Sequence, residues 1–235
     1  MNSMLLLSLL LAHVIGDFYL QTDALCRQKE TKKIKSPYLY LHALTVGAVS
    51  WLMVWKLDFW VYAVIILLSH ALIDLGKAYW NRGISTFCLD QLMHIGVLVI
   101  ISMCYHAEGK LPLEQIAMLV SLPELPVLSL AVLLSLKPTN ILIKLLLQKY
   151  DIFMDSRSTS EMKKAGALIG NLERILTLVF VLTNHYEAIG FIIAAKSLLR
   201  FRDTDTGKTE YVLAGTFLSF GIAILLGLLV LRVAK

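Results

Sequence analysis

Apolar blocks of roughly 18–22 residues recur along this chain, and each is long enough to cross a hydrocarbon core of about 30 Å as a helix. No water is available in such a core, so every backbone N–H and C=O must find its partner within the segment. Repeated blocks of this length therefore imply a helical membrane bundle. Composition agrees: 57% of the 235 residues are hydrophobic and 17% are charged, with a mean hydropathy of +0.71. Soluble domains carry about a quarter charged residues, so an ordinary cytosolic enzyme is excluded.

The blocks predict an all-α, polytopic bundle of about eight spans: Met1 to Leu20, Pro37 to Trp55, Phe59 to Tyr79, Phe87 to Tyr105, Leu125 to Leu147, Ala165 to Thr183, Ala188 to Phe201 and Tyr211 to Leu231. Residues 1–110 and 111–235 each hold about four of these, within a single membrane domain. The first block lacks a basic leader and a small-residue cleavage site, and carries His13, Gly16 and Asp17 inside its apolar run. It is expected to remain in the mature chain. Pro123, Pro126 and Pro138 interrupt the fifth block, which also contains Lys137 and Lys144. A kinked or re-entrant segment is expected there, preceded by an interfacial helix over Leu113 to Val120.

Orientation follows from the basic residues. Of 22 Lys and Arg, fourteen fall on one set of alternate loops and four on the other. Cytoplasmic loops carry that excess, so both termini are expected outside. The formal charge of +5 is thus orientation information. Nucleic acid is not an expected partner, because no basic stripe with interleaved aromatics is present; membrane lipid is. Cys26, Cys88 and Cys104 show no metal-ligand spacing and imply no disulfide scaffold.

The chemistry-bearing signal is a repeated pair. His13 and Asp17, His70 and Asp74, and Asp90 and His94 each lie four residues apart inside predicted spans. Such residues share one helix face, about 6 Å apart along the axis. With nine Asp and six His, random placement gives about 0.5 pairs at this spacing. Intramembrane ionisable residues are expensive and usually mark a site. With the orientation above, these pairs and His42 converge near the cytoplasmic ends of the first four spans. His13, Asp17, His42, His70, Asp74, Asp90 and His94 are the candidate ligands of a divalent ion such as Zn, Mn or Fe. Seven donors exceed the need of one tetrahedral ion, leaving room for a second ion or for Asp17, Asp74 or Asp90 to act as general base on a bound water. Gln21, Lys77 and Gln91 lie within a turn of the pairs and are candidate supporting partners.

Two other readings remain open at this point: interhelical hydrogen-bond glue, and a path for protons or ions. His106 and His185 are expected in solvated outer loops. Glu173, Arg174, Lys196 and Arg200 interrupt the sixth and seventh spans. They are expected to pair or snorkel near the interface, with binding of an anionic headgroup or phosphate ester as the functional alternative. The loop from Lys29 to Lys35 reads as topogenic charge, and Gly215, Gly221 and Gly227 as close helix packing.

Leu11-Ala12-His13, Gly16-Asp17-Phe18, Leu20-Gln21-Thr22, Ser69-His70, Ile73-Asp74, Lys77, Asp90-Gln91 and His94 together make a pattern that resembles domain of unknown function 3307, an uncharacterised family of bacterial integral membrane proteins. The stretch from Ile169 to Ser219 is similar to the C-terminal part of its longer members. The resemblance implies a bacterial inner-membrane location and a joint role for the motif residues, without an activity. This chain departs from the pattern at Val46, where some members carry a second histidine one turn after the position of His42. The expected function is a membrane-embedded, metal-dependent hydrolase of a lipid or other amphiphile at the cytoplasmic leaflet. The alternatives are a divalent-cation or proton-coupled carrier and a structural membrane subunit.

Overall fold

A computed structural model describes residues 3–80, 83–106, 108–150, 152, 160–200 and 206–233, except for the side chains of 23–25, 27, 30, 160–164, 199–200 and 206–210. Among the described residues all regular elements are helical: α1 (Ser3–Val14) continues into a π turn (Ile15–Tyr19), followed by α2 (Asp23–Lys32), α3 (Pro37–Val54), α4 (Trp60–Lys77), α5 (Ile84–Cys104), α6 (Pro112–Leu119), α7 (Leu125–Ser135), α8 (Lys137–Lys149), α9 (Ser160–Leu182), α10 (Tyr186–Arg200) and α11 (Thr206–Val233). Among the described residues six stretches are long and apolar enough to cross a membrane: Pro37–Val54, Leu57–Lys77, Ile84–Cys104, Leu125–Lys149, Ala165–Leu182 and Tyr211–Val233. The first expected span is a shorter apolar helix, Ser3–Tyr19, and the seventh is the 15-residue α10.

The chain packs as two units, Met1–Leu130 and Ala131–Lys235. In the first, α1 packs on α3, α3 on α4, α4 on α5 and α5 back on α1, so four helices close a ring. Half of its interior is apolar: Leu5, Leu9, Val54, Phe59, Leu98, Ile101 and Leu111 are buried together with Tyr105. Trp51, Trp55, Trp60 and Tyr62 lie near that end of the ring, and Trp55 and Trp60 are exposed. Tyr79 and Trp80, also exposed, follow the opposite end of α4. Aromatic residues at both ends of an apolar helix are what membrane–water interfaces select. Burial pushes the Tyr105 phenol above its usual range, and its hydrogen bond to Asp58 Oδ1, 3.0 Å, acts in the same direction.

In the second unit α9 packs along α11, with α8 and α10 beside them. The expected break in the fifth span falls at Leu136, between α7 and α8, with Pro138 in the first turn of α8. That placement costs no hydrogen bond, because the first N–H groups of a helix have no intrahelical partner. Arg174 closes the break. Its guanidinium donates to the Ser135 carbonyl at the end of α7, to Asn140 Oδ1 and Asn171 Oδ1 (both 2.6 Å), and to Ser219 Oγ (2.8 Å). A helix C-terminus leaves unsatisfied carbonyls and partial negative charge, which a cation there relieves. Of the three glycines read as packing positions in α11, Gly227 does meet a close neighbour, since a Cβ would stand 2.7 Å from Val181 Cγ1. Gly221 has nothing within 4 Å of such a Cβ, so the packing reading does not extend to it.

Candidate metal centre

The polar residues of the first unit collect at one end of the four-helix ring, opposite its apolar half. His13 and Asp17 lie toward the C-terminal end of the first helical segment, and His42 toward the start of α3. His70 and Asp74 lie toward the end of α4, and Asp90 and His94 toward the start of α5. All seven are essentially buried, with side chains no more than 9% exposed. In an up-and-down ring the end of one helix meets the start of the next, and so four short motifs far apart in sequence share one volume.

The first motif differs from the regular α spacing expected for it. Leu20 N–H bonds back to the Ile15 carbonyl at 2.9 Å, closing a wider π turn around Asp17. Such turns are rare and occur frequently at functional sites. Gly16 permits the close approach of this turn to α3, because a Cβ there would stand 2.8 Å from Val46 Cγ2. As a result Asp17 reaches across the ring. Its Oδ1 lies 3.3 Å from His42 Nε2 and 3.2 Å from His70 Nε2, while its Oδ2 is 3.8 Å from His13 Nε2. The two nitrogens of His42 and His70 are 3.0 Å apart.

These three atoms form a nearly equilateral triangle contributed by three helices. Donors held 2.0–2.1 Å from a tetrahedral zinc ion stand about 3.3 Å from one another, close to all three edges. Asp17 Oδ1 is buried and accepts no hydrogen bond despite its two imidazole neighbours. An unmet buried oxygen costs about 1–3 kcal/mol, a cost that a shared cation would remove. Asp74 Oδ2 extends the set, at 3.8 Å from His42 Nε2 and 3.9 Å from His70 Nε2. His13 Nε2 lies 3.2 Å from Gln91 Oε1, and the amide nitrogen of Gln91 faces Asp90 Oδ2 at 3.1 Å and Asp17 Oδ2 at 3.5 Å. Gln91 therefore orients one imidazole and two carboxylates. Lys77 Nζ donates to Asp90 Oδ2 at 2.6 Å, and Gln21 is buried nearby in sequence to Asp17.

Lys29 has a place that its loop position did not suggest. Its ammonium pairs with Asp74 Oδ2, although it read as topogenic charge. Lys33 stacks over the Tyr79 ring at 4.1 Å, so α2 and the turn after it are fastened to the end of α4. The partners are 45 residues apart in sequence, and no spacing rule connects them. Lys29 and Lys77 together supply two positive charges to a site with three carboxylates, in an environment where an unpaired charge is expensive. A cavity of about 10 Å³, room for about one water, adjoins the centre; His13, Ser69, His70 and His94 form its polar wall.

The other expected site residues lie in the second unit. Lys196 Nζ donates to Glu173 Oε2 at 2.7 Å, and Arg174 is engaged at the α7–α8 break. The side chain of Arg200 lies outside the described residues. His106 and His185 are exposed, as expected of solvated loop residues. Cys26, Cys88 and Cys104 form no disulfide.

The sequence profile of a family described as Protein of unknown function (DUF3307) matches residues 5–122. That range contains every His and Asp of the centre. No curated protein and no solved structure matches the chain.

Proposed function

Because the chain belongs to the DUF3307 family, whose description assigns no activity, we propose a function from the site itself: a membrane-embedded hydrolase whose divalent ion is held by Asp17, His42 and His70. The observation that carries this reading is the triangle of Asp17 Oδ1, His42 Nε2 and His70 Nε2, with edges of 3.0, 3.2 and 3.3 Å. Three protein donors leave a fourth position for water, the arrangement of catalytic rather than structural zinc sites. Zn, Mn or Fe suits the imidazole and carboxylate set. A bound ion would lower the pKa of that water, and while this ion alone is bound Asp74, 3.8 and 3.9 Å from His42 and His70, would be the carboxylate placed to take its proton. Such an ion would supply a water-derived nucleophile for hydrolysis of the ester or phosphoester of a lipid or other amphiphile, and the carboxyl that takes the water's proton would return it to the leaving oxygen.

One-sided chemistry is favoured over a carrier by the packing. Beyond the centre the ring is filled mainly by Leu5, Leu9, Val54, Phe59, Leu98 and Ile101; Ser8, Ser50 and Ser102 are buried on the same helices, and no buried carboxylate or imidazole continues the path among the described residues. The excess of basic residues on one set of alternate loops supports a centre toward the cytoplasmic leaflet, with both termini outside. The test is elemental analysis of the detergent-purified full chain beside His42→Gln and His70→Gln variants, followed by assay of lipid ester and phosphoester hydrolysis with and without chelator. Loss of at least one equivalent of metal in both variants and chelator-sensitive hydrolysis are expected. Absence of metal from the unaltered protein refutes the centre, and stoichiometric metal without hydrolysis refutes the reaction.

A further inference from the structure

The triangle leaves another set of donors unused. Ligand atoms of Asp74, Asp90 and His94 lie within 4.8 Å of one another. The side chains of Asp90 and His94 are 0% and 3% exposed, and Asp90 Oδ1 and His94 Nε2 are 3.5 Å apart. Neither atom makes a hydrogen bond. Each faces the other as an ion-pair contact, and buried polar atoms that lack a well-formed hydrogen bond are costly in an apolar medium. A separation of 3.5 Å is close to that of two donors sharing one ion at about 2.0–2.2 Å.

The rest of Asp90 is arranged to keep that oxygen available. Lys77 and the Gln91 amide both donate to Oδ2, at 2.6 and 3.1 Å, which aims Oδ1 at His94 and compensates the carboxylate charge. Asp74 joins the two donor sets, because it also stands 3.8 and 3.9 Å from His42 and His70. The His70 and His94 rings stack with centroids 4.1 Å apart and planes inclined by 27°. That ring separation is comparable to the 3.5–4 Å spacing of the ions in two-metal centres.

Building on the reading that the bundle holds one divalent ion, we propose that Asp90, His94 and Asp74 bind a second divalent cation, with Asp74 shared between the two. The centre is then dinuclear. Lys29, now on Asp74, gives way when the ions enter, while Lys77 keeps its hold on the far oxygen of Asp90.

Titration of the metal-stripped, detergent-solubilised full chain with Mn(II), read by electron paramagnetic resonance, tests this directly. The unaltered chain is expected to take up about two equivalents and to show a spin-coupled spectrum, since ions about 4 Å apart interact through shared ligands. His94→Gln and Asp90→Asn, each checked for helicity and monodispersity, should bind about one equivalent with an uncoupled six-line spectrum. Uptake of about one uncoupled equivalent by the unaltered chain, retained in His94→Gln and lost in His42→Gln, overturns the second site and leaves the first standing. No uptake by the unaltered chain overturns both. The stoichiometry and coupling of the unaltered chain decide the matter even where a variant fails to fold.

Discussion

Replacing Gly16 with alanine should disable the centre without touching a single ligand. The added Cβ would stand 2.8 Å from Val46 Cγ2, against an ordinary carbon–carbon contact of about 3.5–4.0 Å. Relief requires the π turn and α3 to separate by roughly 0.7–1.2 Å. Asp17 follows Gly16 directly and His42 is one turn from Val46, so their 3.3 Å separation would open toward about 4 Å. Metal–ligand distances tolerate only about 0.2 Å. Overpacking of this size destabilises by about 1–3 kcal/mol, which corresponds to roughly 5–150-fold in an equilibrium constant. The assay is Mn(II) affinity and thermal unfolding of Gly16→Ala beside the double variant Gly16→Ala/Val46→Ala, which removes the colliding methyl groups. Both losses should appear in the single variant and be largely restored in the double. Unchanged affinity and melting temperature in Gly16→Ala would refute the argument that this contact sets the position of Asp17.

Removal of metal by a chelator should lower the melting temperature of the unaltered chain and leave that of the double variant His42→Gln/His94→Gln unmoved, because only an ion bound to the folded state contributes linkage stabilisation. Lys29→Met should destabilise the metal-free chain by about 3–5 kcal/mol, the effect of stranding a buried carboxylate, with Mn(II) recovering more stability than in the unaltered chain; equal recovery in the two would argue against Lys29 and the ion sharing Asp74. Arg174→Met should destabilise by about 2–5 kcal/mol through the acceptors it strands at the α7–α8 break, and its Mn(II) stoichiometry should match the unaltered chain. Single cysteines introduced at Ile34 and Glu108 of a chain stripped of its own three should react with an impermeant thiol reagent from opposite faces of the membrane; labelling of both from one face would contradict the assigned orientation.

How much was legible in advance depended on whether a signal was local. Apolar block length is local and anticipated the helical class; prolines are local too, and Pro123, Pro126 and Pro138 marked the fifth block as interrupted, with the break found at Leu136 and the short helix expected over Leu113 to Val120 found as Pro112–Leu119. The four-residue spacing of His and Asp is also local and singled out residues that the fold does bring together. Lys29 was missed because its partner Asp74 is distant in the chain, and charge in a basic loop looks the same whether it is solvated or paired. The π turn at Ile15–Tyr19 left no mark that periodicity detects, and it re-aims Asp17 from its own helix neighbour toward His42 and His70. Glu173 and Lys196 pair as one expectation had it, whereas the role of Arg174 at a broken helix depends on Asn140, Asn171 and Ser219 arriving from three different helices.

The amino-acid sequence by itself determined that this chain is built of apolar helices and that ionisable groups stand at recurring positions inside them, because both follow from residue type and interval along one helix. Which oxygen meets which nitrogen was decided only by tertiary packing. Distances of 3.0 to 3.5 Å among Asp17, His42, His70, Asp90 and His94 depend on how closely α1, α3, α4 and α5 approach and on the turn that rotates Asp17. Interval along a helix cannot encode the separation between helices; contacts such as Gly16 against Val46 set it, and they exist only once the ring has closed.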